Sequence, residues 1–162
     1  MSDYGYSEYV DDAFFLEGVC AFQQADRAER DQTKTYEALS RIDRFLQIFP
    51  DSPRIEEARQ VKHEIHARLG KKYFLNAKLY FSMGHAKAAL IYFDKVISSF
   101  PDTDWAIRSH YFRGLIMKET GDHAEAVREL ETALQSSVRF PERSHAEKVL
   151  RSIRGDGSDE ER

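Results

Sequence analysis

The chain has 162 residues, 41% of them apolar, with a net charge of −4 and a pI of 5.9. That length suits one domain or a short array, and the acidic balance argues against nucleic acid, which favours a basic face. No apolar run approaches the length that spans a bilayer, and a single cysteine excludes an intramolecular disulfide framework.

The opening segment, "MSDYGYSEYVDD", is acidic and aromatic and lacks the basic and apolar regions of a signal peptide. "FFLEGVC", ending at Cys20, looks like a lipoprotein cleavage site, but Val19 is too bulky beside the cut and acids stand where bases belong. Cys20 is expected instead as a small buried residue on a helix, and the chain as given is expected to be soluble. Residues 1–6 are read as a flexible terminus, 7–154 as the folded domain, and 155–162, "GDGSDEER", as a disordered acidic tail.

Between those ends the spacing of apolar residues is helical throughout, with no alternation that predicts a strand. Helix one runs from about Ser7 to Ala25, with Val10, Ala13, Phe14, Gly18 and Ala21 on one face. "DRAERD" is a charged loop. Asp31 caps helix two, which turns Ala38, Ile42, Phe45 and Leu46 inward and stops at Phe49, because the residue before a proline resists helical geometry. Helix three opens with Ser52 as cap and Pro53 at the first helical position, where its missing N–H costs nothing. Glu56 and Glu57 suit the helix dipole, and Ile55, Ala58, Val61, Ile65, Leu69, Phe74, Ala77 and Tyr80 continue one long helix through Gly70 to about Met83. Gly84 ends it. Helix four covers His85 to Ser99, and Thr103 caps helix five, which runs to Thr120 and closes on Gly121. "DHAE" at 122–125 is a capping box for helix six, and helix seven spans about Glu142 to Arg154.

Phe-Pro-Asp occurs at 49–51 and 100–102, and Phe-Pro again at 140–141. Set against the 34-residue tetratricopeptide pattern, Ala77, Ala89, Phe93, Val96 and Pro101 fall on positions 8, 20, 24, 27 and 32. Gly114, Ala126, Leu130 and Ala133 repeat the first four, with Pro141 three residues late. Gly18, Ala38, Ile42 and Pro50 form a stretched copy with an enlarged internal loop. The expected fold is all-α: a tetratricopeptide-repeat solenoid of about three helix-pair units with one overlong helix and a capping helix.

The order of features, from "DRAERDQTKTYEAL" through "FPDSP" and an overlong helix to "FPDT", resembles the BamD (YfiO-like) outer-membrane assembly lipoproteins. Phe49 and Phe100 stand where that family usually has Tyr. The resemblance covers about Tyr9 to Ala133 and is most specific from Asp26 to Thr103. It implies a non-enzymatic scaffold at the periplasmic face of the outer membrane. The implied partners are the periplasmic domains of the barrel subunit BamA and companion lipoproteins, and no cofactor is implied. Family members begin with a signal peptide, a lipidated cysteine and two further repeats, so the chain is expected to be a carboxyl-terminal part or a shortened relative.

Other chemistry is weaker. "HEIH" places His63 and His66 at i and i+3, where the zinc-protease motif needs i and i+4, and no third ligand is evident. A metal-dependent enzyme through that pair, and a tetratricopeptide adaptor for an unrelated peptide, stay as alternatives. A carboxylate clamp is disfavoured, since Asn76 is the one asparagine. Inner-groove positions of the first helix in each unit give Asp12, Phe15, Val19 and Phe22, then Lys71, Phe74, Lys78 and Phe81, then Arg108, Tyr111, Leu115 and Lys118. Phe74, Lys78, Phe81, Arg108, Tyr111, Leu115 and Lys118 are the expected partner-binding residues, because aromatic centres beside cations suit a peptide with acidic character. The resemblance places the barrel subunit's last periplasmic domain against the last repeat's first helix, here Arg108 to Lys118.

Overall fold

A computed structural model describes residues 9–25 and 32–156. Among them lie helices α1 (Val10–Gln24), α2 (Thr33–Ile48), α3 (Ile55–Ser82), α4 (Ala86–Ser99), α5 (Asp104–Glu119), α6 (His123–Gln135) and α7 (Arg143–Asp156), and no strand. The all-α, tetratricopeptide-type fold is as expected. The chain divides within α3 into two compact units, Met1–Leu69 and Gly70–Arg162. The expected "DRAERD" loop, the Asp31 cap, the flexible residues 1–6 and most of the acidic tail lie outside the described residues. Gly155 and Asp156 extend α7 instead of joining that tail.

The Phe-Pro motifs build one turn three times. The Ser52 N–H donates to the Phe49 carbonyl at 3.2 Å, the Thr103 N–H to Phe100 at 3.2 Å, and the Arg143 N–H to Phe140 at 3.2 Å. Proline holds the second position, where its fixed φ suits a tight turn. Phenylalanine ends the preceding helix in the first two: the Phe49 and Phe100 N–H groups still reach the carbonyls of Phe45 and Val96, both at 2.9 Å. The caps differ from expectation. Pro53 lies in the turn ahead of α3, which begins at Ile55, while the Ser52 hydroxyl accepts from the Arg54 N–H and donates to Asp11 at 2.5 Å. Thr103 holds the expected N-cap position of α5 with extended backbone, but its hydroxyl makes no capping bond and donates back to the Phe100 carbonyl at 2.8 Å. Gly84 and Gly121 both adopt positive φ, 77° and 87°, and let the following N–H groups reach back to Tyr80 and Met117, which closes α3 and α5. Asp122 accepts from the Glu125 N–H at 3.1 Å, the expected first half of the capping box.

In the first unit α1 packs on α2. The buried face of α1 is Phe15, Gly18 and Ala21, not the face through Ala13, which is exposed. Two adjacent phenylalanines allow either rotation, and Phe15 wins by reaching Phe45, at a centroid separation of 5.6 Å. Cys20 lies on α1 but is exposed, on the side opposite the buried face. Gly18 leaves room for Ile42, whose Cδ1 would stand 2.5 Å from an added Cβ.

The second unit has a continuous core made from the end of α3 and from α4, α5, α6 and α7. Ala77, Ala89, Phe93, Val96, Ala126, Leu130 and Ala133 are all fully buried, so the repeat positions named above are packing positions. Gly114 repeats the role of Gly18. A Cβ there would lie 2.8 Å from Leu130 Cγ and 3.3 Å from the Ala126 carbonyl. Gly114→Val should therefore destabilise the unit by about 2 kcal/mol through overpacking, measured by urea unfolding. An unchanged midpoint would remove the close-approach argument.

Candidate docking surface

The second unit contains every residue expected at a docking site. Its elements bring them together on the end of α3 and on α5. Phe74 sits at the centre, 1% exposed, with Phe93, Trp105 and Phe112 at centroid separations of 5.8, 5.2 and 5.6 Å. Phe81 meets the edge of Phe112, and the Lys78 ammonium lies 5.3 Å above the same ring. The first-helix positions of one unit thus pack on those of the next.

The same relation recurs one step further along. Arg108 Nε donates to Glu142 Oε2 at 3.0 Å, the Tyr111 hydroxyl pairs with His145 Nδ1 at 2.7 Å, and Lys118 Nζ donates to Ser152 Oγ at 3.1 Å. Each pair is separated by 34 residues, one tetratricopeptide period. Helix α7 is therefore more than a cap. It stands as the first helix of a further unit that has no second helix within the described residues.

This settles where the expected residues lie. Phe74 and Tyr111 are interior. Arg108 is largely covered, with 17% of its side chain exposed, and stacks on Phe74 and Trp105 at 4.7 and 5.1 Å. Lys78, Phe81, Leu115 and Lys118 are half-buried and keep a rim of accessible surface. Sequence reasoning missed Glu142, His145 and Ser152. The 34-residue offset from Arg108, Tyr111 and Lys118 was the available signal. It was masked because Lys148 occupies the small-residue position of that further unit. Lys148 is tolerated there, exposed, since no second helix among the described residues packs on it.

Burial, and then the nearby Glu142 carboxylate, hold the Tyr111 hydroxyl above its ordinary ionisation range. A group whose pKa is raised on folding gives stability that is present below its unfolded value, near pH 10, and lost as pH rises past it. Tyr111→Phe should therefore flatten the loss of thermal stability above about pH 10. Parallel losses in both chains would show that Tyr111 is not the group responsible.

A second polar knot ties α4, α5 and α6. Glu129, 7% exposed, receives His110 Nδ1 at 2.6 Å and Arg113 Nη2 at 3.1 Å, and Arg113 also pairs with Asp94. Among the described residues no three His, Cys, Asp or Glu side chains come together as metal ligands, and His63 and His66 stay on α3 in the first unit. No helix among the described residues is long and apolar enough to cross a membrane.

Comparison with known families bears on this geometry. The family model YfiO, described as outer membrane lipoprotein, matches residues 1–113. A tetratricopeptide-repeat model matches residues 107–137, which hold most of α5 and all of α6. No curated protein matches the chain.

Proposed function

The chain belongs to the YfiO outer-membrane lipoprotein family, and from that premise we propose that it is a non-enzymatic scaffold of the machinery that inserts β-barrel proteins into the outer membrane. It works at the periplasmic face and docks the periplasmic domains of the barrel subunit BamA, with companion lipoproteins as further partners. The observation that carries this reading is the overlap of the two family matches at residues 107–113, which joins the lipoprotein segment to a protein-binding repeat without a break.

The docking edge we assign is the rim of the strip just described. Lys78, Phe81, Leu115 and Lys118 offer cations beside apolar surface, while Phe74, Arg108 and Tyr111 hold that rim from beneath. Such an edge favours an acidic partner surface with an apolar centre.

The test is calorimetric titration of the full chain against the periplasmic domains of BamA from the same organism. The intact chain should bind, and Lys78→Glu with Lys118→Glu should weaken binding at least ten-fold, about 1.4 kcal/mol. A folded chain that ignores those domains is an adaptor for another partner. A charge-reversed variant that binds as well as the parent moves the contact off this rim.

A further inference from the structure

We infer that the solvent-facing edge of α3 in the second unit is a docking strip for an acidic amphipathic helix of a partner protein. Lys71, Leu75 and Leu79 follow one another at four-residue spacing along one side of the helix end, and Met83 continues the row in the turn that closes α3, its N–H bonded to the Leu79 carbonyl at 3.1 Å. Leu75, Leu79 and Met83 are 51, 58 and 57% exposed. The inward side is already filled by Phe74 and Ala77, so these three contribute nothing to the core. An exposed helix face is normally polar, as earlier in α3, where Glu56, Glu57, Arg59, Gln60, His63 and Glu64 are the exposed residues. Single exposed apolar residues need no explanation; three in a row do.

Charge selects the occupant. No Asp or Glu occurs from Gly70 to Phe93, although Lys71, Lys72, Lys78 and Lys87 do, in a chain whose net charge is −4. Lys71 heads the apolar row and is exposed, as is Lys87 at the start of α4. The strip therefore pairs apolar surface with the sign opposite to the rest of the molecule. A complementary surface carries leucine-like side chains flanked by carboxylates.

Shape selects a helix over an extended strand. From Leu75 to Met83 the row spans about 12 Å along the axis, and a ridge of i, i+4 side chains fits the groove of a second helix. A strand would seek backbone donors and acceptors, and a helix face has none free. The inference stands whether or not the partner belongs to the barrel-assembly machinery, so the BamA titration can fail without touching it.

The experiment measures fluorescence anisotropy of a labelled synthetic helix, with leucines on one face and glutamates flanking them, on adding the full chain. A twin peptide with lysine for glutamate is the control. The glutamate peptide should bind at least ten-fold tighter than its twin. Leu75→Ser with Leu79→Ser should weaken it at least ten-fold while the circular dichroism melt is unchanged, as these side chains are exposed. Lys71→Glu should weaken it too. Equal affinity for the twins, or indifference to the double substitution, overturns the inference. So does displacement of the peptide by phosphatidylglycerol vesicles, which would make the strip a lipid contact. A chain dimer that the serine variant abolishes would make it a self-contact, and overturns it likewise.

Discussion

Phe93→Ala should cost the second unit about 5 kcal/mol, the upper end of the range for removing a fully buried aromatic ring. Phe93 is completely buried, lies parallel to Phe112 at 5.5 Å between centroids and meets Phe74 at 5.8 Å. Its ring thus joins α4 to both α3 and α5. The hole left by alanine would be walled by rigid rings, and such walls collapse poorly, which places the cost high in the range. Urea unfolding followed by far-ultraviolet circular dichroism measures it. A loss below about 1 kcal/mol would mean the three rings do not share one packed core.

Arg108→Glu should be the most damaging charge change, about 3 kcal/mol. The guanidinium makes two bonds to Glu142, at 3.0 and 2.5 Å, and both side chains are only 17% exposed. It also stacks on Phe74 and Trp105. Reversal deletes those contacts and sets two carboxylates together where water screens them weakly. An exposed pair such as Arg59–Glu56 offers the contrast, since its loss should cost under about 1 kcal/mol. The same unfolding experiment decides. If both substitutions cost the same, α7 is not fastened to α5 through Glu142.

Much of this could be read from the residues because the repeat ties local and long-range structure to one set of positions. Gly18 and Gly114 had to be small because a second-helix side chain fills the space over each. Phe-Pro had to mark a turn because proline rules out helix at the residue before it. What could not be read depended on which side chain wins a contest. Phe14 and Phe15 are apolar neighbours that both find a ring on the α2 side, Phe49 at 5.4 Å and Phe45 at 5.6 Å, and only the fully buried Phe45 draws its partner into the core. Thr103 can cap forwards or bond backwards, and the Phe-Pro turn brings a carbonyl within reach. The groove positions were the largest difference. In an array, the face that would hold a partner is the same face that holds the next repeat. Nothing local to α5 says that α7 will fill it.

The most direct measurement is a charge swap, Arg108→Glu with Glu142→Arg, assayed for stability and for binding to the periplasmic domains of BamA. If α7 fills the α5 face as the next unit's first helix, the swap should recover at least half of the stability lost in Arg108→Glu alone. Affinity should stay at the parent level, because Arg108 supports the rim without touching the partner. A swapped chain that stays as unstable as the single variant would contradict the α5–α7 register. One that folds fully yet loses affinity would show that the partner contacts Arg108 itself.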